Sequence, residues 1–118
     1  MTLQECYEKI GGDYAEVLER LTKEDRIEKY AVKFLEDTTY RMLCEAKKAE
    51  KYNEVFLLIH TLKGVSQNLG FTKLYEACYE MTEAVRGGRK LQDEALFDAV
   101  SERYFVVVEV LKQFADEK

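Results

Sequence analysis

Six glycines and no proline punctuate this chain of 118 residues, and their placement limits it to a helical fold. Gly11, Gly12, Gly70, Gly87 and Gly88 each follow a stretch with helical apolar spacing, the position where glycine commonly ends a helix. Two short pieces come first. Leu3 to Ile10 starts from Thr2 and Glu5 in capping-box spacing, and Tyr14 to Leu21 starts from Asp13 with Glu16 three residues on. A long helix is predicted from about Glu24 to Ala49, burying Ile27, Tyr30, Ala31, Phe34, Leu35, Thr38, Met42 and Leu43. After a break near Tyr52, Asn53 is placed to cap a helix over about 54–69. Thr72 can cap the next, whose apolar stripe is Phe71, Leu74, Tyr75, Cys78, Met81 and Val85. The last helix runs from about Glu94 to Ala115 on Leu96, Ala99, Val100, Tyr104, Val107, Val108, Leu111 and Phe114. Four long amphipathic helices with short connections pack most simply as an up-down-up-down bundle, with the two short helices across one end.

The sixth glycine, Gly64, ends nothing. It lies inside the helix over 54–69, where glycine costs about 1 kcal/mol relative to alanine. The apolar set of that helix is Val55, Leu58, Ile59, Leu62, Val65 and Leu69. At about 100° per residue, the single histidine of the chain, His60, falls about 160–180° from the centre of that set. Phe56, Lys63, Gly64 and Gln67 fall within about 60° of His60 by the same rotation. One face of the helix therefore folds the protein, and the other presents an imidazole.

A lone surface histidine on a helix is ordinarily incidental, and three neighbours argue against that here. Gly64, one turn on, ordinarily marks close helix packing, but on an outward face it gives clearance for a second protein. Lys63 is ordinarily a solvated lysine, but at i+3 it reaches anything attached to the ring. Phe56, with Leu57 at its flank, is unremarkable singly; beside a reactive group the pair suggests a docking patch.

The string His60-Thr61-Leu62-Lys63-Gly64, continued by Asn68-Leu69-Gly70, resembles the signature of histidine-containing phosphotransfer (HPt) domains. The likeness extends from the segment GGDYAEVLERL to Arg86-Gly87-Gly88. It implies a helical bundle in which His60 accepts and donates a phosphoryl group, Lys63 steadies it and Gly64 gives the partner room. Gly70 would let the chain turn tightly into the next helix. It also implies receiver domains of a hybrid kinase and of a response regulator as partners, with Mg2+ supplied by the receiver and no metal or other cofactor on this chain. In a hairpin turning near Gly70, Met81 and Thr82 come level with His60. Arg86 then stands about one turn away in a supporting electrostatic role, and Thr82, Tyr79 and Gln67 are candidate polar neighbours.

The remaining features bound the alternatives. A net charge of −5, with both signs mixed and no basic stripe, argues against nucleic-acid binding. Cys6, Cys44 and Cys78 form no CxxC pair, and one histidine cannot complete a usual zinc site. All three thiols are expected to be buried and reduced. MTLQECYEKIGG carries charges and no continuous apolar stretch, so it does not read as a signal peptide. No apolar run is long enough to span a bilayer. The initial methionine and capped first helix lean towards a free-standing protein, and a monomeric cytoplasmic phosphocarrier without kinase activity is expected. The chain has no P-loop and no acidic metal cluster. A non-catalytic helical adaptor that docks a receiver without carrying phosphate is the alternative.

Overall fold

A computed structural model describes all 118 residues and contains seven α-helices and no strand. Helix α1 spans Leu3–Ile10 and α2 spans Tyr14–Leu21. The reciprocal capping box is formed: the Glu5 amide donates to Thr2 Oγ1 at 3.1 Å, and the Thr2 amide donates to Glu5 Oε1 at 2.8 Å. Asp13 accepts from the Glu16 amide at 3.0 Å and starts α2.

The long helix predicted over Glu24–Ala49 is broken. Helix α3 covers Glu24–Lys33, a 3-10 turn covers Phe34–Glu36, and α4 covers Thr39–Lys48. Asp37 turns extended, with φ −71° and ψ 130°, and its carboxylate accepts from the Thr39 amide at 2.8 Å. An Asp followed by two β-branched threonines offers the backbone a local alternative to the helical ladder. The break resets the phase of α4. Tyr40, Leu43 and Ala46 point inward, while Met42 and Tyr30, both expected in the core, are 45% exposed and Thr38 lies at the surface.

Helix α5 is Tyr52–Asn68, α6 is Thr72–Ala84 and α7 is Glu94–Asp116. Two expected caps are corrected. Lys51 rather than Asn53 precedes α5, and Phe71 rather than Thr72 precedes α6, neither with a side-chain cap bond. Asn53 instead packs under Gly88. On α7, Ala99 is exposed and Val110 takes a buried place. One cluster of 26 buried residues makes the core. Cys6 and Cys78 lie in it, whereas Cys44 is only half-buried, because the new phase of α4 turns it from the centre.

Helices α4 to α7 form the bundle in sequential order. Between α4 and α7 the space is filled by aromatic rings: Tyr40 stacks on Tyr104 with centroids 4.0 Å apart, and its hydroxyl meets Ser101 Oγ at 2.7 Å. Helix α7, 23 residues and so about 35 Å long, outreaches α5 and supplies the surface on which α1 packs. The N-terminal helices are stitched to the α5–α6 turn. The Asp13 amide donates to the Gly70 carbonyl at 2.9 Å, and the Lys73 amide donates to the Gly11 carbonyl at 3.1 Å. The buried Tyr7 hydroxyl donates to the Leu69 carbonyl at 2.6 Å. Gly70 has φ +72°, and a Cβ there would lie 3.1 Å from the Asp13 carbonyl oxygen, so the turn and its close approach require glycine. No helix is long and apolar enough to cross a membrane.

Candidate functional site

Helix α5 presents the histidine because its other side is committed to the core. Val55, Ile59 and Leu62 are fully buried. Ser66 is buried with them, and its hydroxyl donates to the Leu62 carbonyl at 2.8 Å, so it leaves no unmet polar group inside. Leu57, His60, Thr61 and Gln67 lie exposed on the opposite side. Leu57 is 62% exposed, the highest value among the exposed large hydrophobic residues.

Gly64 is helical, and a Cβ built on it would meet nothing within 4 Å. No neighbouring helix needs the space that a side chain would take. The ground beside His60 is open, and close helix packing does not account for this glycine.

On the α6 side, the Phe56 ring stacks against the imidazole with centroids 6.0 Å apart and an interplanar angle of 27°. The Arg86 guanidinium lies over the same Phe56 ring, 5.6 Å from its centroid. Arg86 opens the 3-10 turn Arg86–Gly88 after α6, and it joins the site through Phe56 rather than directly. Lys63 Nζ stands 5.5 Å from the centre of the Tyr79 ring, so the lysine is steered along α6.

The site residues expected from α6 divide. Tyr79 is exposed and touches Lys63. Thr82 does not reach the histidine face: it is fully buried, and its hydroxyl donates to the Cys78 carbonyl at 2.7 Å. A threonine inside a helix readily makes this bond to the fourth residue back, and here it removes the hydroxyl from the surface. Gln67 lies two turns beyond His60.

Two residues were missed. Arg20 of α2 donates Nη2 to the Gln67 and Asn68 carbonyls at 2.8 and 2.9 Å, closing the C-terminal end of α5. Its Nη1 donates to Glu16 Oε1 at 2.7 Å, which fixes its direction. No local signal marks a contact between residues so far apart. Glu83 is the other, and its i,i+3 spacing to Arg86 was a readable signal. Its carboxylate takes Arg86 as a fork, at 2.6 Å from Nη2 and 3.1 Å from Nε. The hydrogen bonds from Arg86 hold the Glu83 carboxyl below the usual carboxylate range, and Lys63 and Arg89 act in the same direction.

The site is a surface rather than a pocket. The nearest apolar cleft on α5, about 420 Å³ and lined by Leu21, Tyr30, Phe34, Val65 and Leu69, lies towards α2 and α3 and excludes His60. No group of three or more His, Cys, Asp or Glu residues is arranged to hold a metal ion.

The family model for the Hpt domain matches residues 12–117. The chain belongs to the Hpt domain family. Comparison with curated proteins and with solved structures finds no match. Hpt domains take part in phosphotransfer in two-component systems, as phosphocarriers rather than kinases, and interact with receiver domains. The matched region of this Hpt domain begins just after α1.

Proposed function

We propose that this Hpt domain relays a phosphoryl group between receiver-domain aspartates through a phosphohistidine at His60. The observation that carries the reading is the exposed imidazole beside open ground at Gly64, with Lys63 at i+3. A neutral imidazole has a free nitrogen lone pair and can act as a nucleophile without a dedicated base. That nitrogen attacks the phosphorus of an aspartyl phosphate. The P–O bond to the aspartate breaks, the carboxylate leaves with the electron pair, a P–N bond forms, and the other ring nitrogen keeps its proton. The reverse step delivers the group to a second receiver.

Such a transfer needs in-line positioning and charge stabilisation more than covalent help. Phe56 limits the tilt of the imidazole, Lys63 and Arg86 supply positive charge near the ring, and Gly64 leaves room for the partner's active site. Leu57, with Phe56, forms the apolar part of the docking surface. The receiver brings Mg2+ and the acidic pocket that binds it.

Incubation with a phosphorylated receiver domain tests this reading. Wild-type protein should gain acid-labile, base-stable phosphate, and His60→Gln should gain none while its circular dichroism stays unchanged. Full labelling of His60→Gln would refute the assignment. A wild-type protein that binds the receiver but never labels would instead be a docking adaptor.

A further inference from the structure

Glu83 is the charged group of this surface for which the carrier chemistry has no use. Phosphohistidine adds negative charge beside the ring, and a carboxylate nearby opposes it. Yet Glu83 lies one helical turn from the level of Tyr79, which meets Lys63, and it occupies the guanidinium of Arg86, which lies over Phe56, with both oxygens. In the unphosphorylated protein Arg86 is therefore neutralised, although it lies against the ring that stacks on His60.

That pairing is weakly held. Both side chains are largely exposed, 51% for Arg86 and 42% for Glu83, and ion pairs in open water are readily exchanged. Arg86 is followed by Gly87 and Gly88, both at positive φ, so no adjoining side chain hems it in. A phosphoryl group carries about −1.5 to −2 charge and three acceptor oxygens, against −1 and two for a carboxylate, and accepts the same planar fork. Lys63 Nζ rests over the Tyr79 ring, so Arg86 is a second cation near the imidazole.

We propose that Glu83 is a displaceable counter-ion: it holds Arg86 over Phe56 while His60 is free, and phosphorylation draws Arg86 from Glu83 onto the phosphoryl group. This rests on His60 carrying phosphate. Glu83 is then a positioning residue, acting through Arg86, and it sets how phosphate divides between His60 and the receiver. A strong counter-ion disfavours loading and favours release, which suits a carrier that must give its cargo away.

The test uses ¹⁵N-labelled full-length protein and phosphoramidate, a small-molecule phosphodonor. In the wild type, a phosphohistidine ³¹P signal should appear together with a shift of the Arg86 Nε–H resonance. In Glu83→Gln that resonance should be displaced before any phosphorylation, and the partition of phosphate against a receiver should move towards His60 by about three- to tenfold. Arg86→Gln should move the partition the other way, and adding Glu83→Gln to it should change little. A ³¹P signal with an unmoved Arg86 resonance would overturn the exchange. So would a Glu83→Gln effect of equal size with and without Arg86, since Glu83 would then act by direct repulsion. Absence of any ³¹P signal would instead overturn the carrier reading, and this one with it.

Discussion

Replacing Gly64 by alanine should make the protein more stable and a poorer phosphate carrier. Gly64 has helical backbone within α5 and is absent from the positive-φ positions, so alanine needs no change of backbone. The added methyl meets no atom within 4 Å, so no clash offsets the gain in helix propensity. That gain is about 0.8–1 kcal/mol for an interior helical position. With an unfolding entropy of roughly 2.1 cal/mol/K per residue, it corresponds to a rise in Tm of about 4 °C for a chain of this length. Urea unfolding followed by circular dichroism should show a higher midpoint with an unchanged m-value. The same methyl stands beside His60, where, on the proposed function, a partner's active site descends. Phosphotransfer from a receiver should slow by about tenfold for Gly64→Ala and by about a hundredfold or more for Gly64→Gln, since small misplacements of reacting groups carry large rate penalties. Two results would refute the reasoning. A destabilised Gly64→Ala would mean that the glycine serves packing, and a fully active Gly64→Gln would mean that the clearance is not used.

Two further outcomes follow from groups away from the histidine. Arg20→Ala should lower stability by about 1 kcal/mol through the loss of its bonds to the Gln67 and Asn68 carbonyls, and hydrogen exchange at the Leu69–Phe71 amides should quicken; unchanged exchange there would show that the cap is not needed. Burial pushes the Cys78 thiol up to about 12 and the Cys6 thiol up to about 11, from an ordinary 9.0. The folded state thus keeps protons that the unfolded state loses, so stability is full below about pH 9 and falls as pH rises through the folded values. Alkaline titration should show loss of structure in that window, and Cys78→Ala together with Cys6→Ala should flatten it. Half-buried Cys44 should alkylate first at neutral pH.

What could be read from the residues alone was what is decided locally. The Thr2–Glu5 box, the Asp13 cap and the glycine stops rest on bonds within a few positions, and each formed as expected. The break at Asp37 was local too, but the regular apolar spacing on both sides outweighed one Asp and two threonines, so helix α4 was read in the wrong phase. That error explains the misplacement of Thr38 and Met42, whereas Tyr30 lies before the break, on α3, where Ile27 and Ala31 take the buried places. Thr82 was placed on the wrong side of α6: it is buried, with its hydroxyl satisfied within its own helix. The contacts of Tyr7, Gly11, Asp13 and Arg20 with the α5–α6 turn cross 47 to 62 positions, and no pattern of spacing encodes them. Arg86 was placed one turn from His60, yet its resting place over Phe56 depends on how α5 and α6 lie together.

The two ends of α5 are held unequally, and this bears on how one imidazole can be aimed at successive partners. The N-terminal end has no side-chain cap and leans on Asn53 beneath Gly88. The C-terminal end is clamped by a buried hydroxyl, a backbone amide and a guanidinium from three different places in α1, α2 and the turn between them. The outer residues Leu57, His60, Gly64 and Gln67 contribute little to folding, so the placement of the helix comes from the buried side and the clamped end, and Phe56 stacks against the ring it carries. Substitutions on the outer face should therefore alter transfer without loosening the helix. Changes at Tyr7 or Arg20, which touch no phosphate, should loosen the scaffold from which the ring is presented. The site is one residue in its chemistry and most of the chain in its orientation.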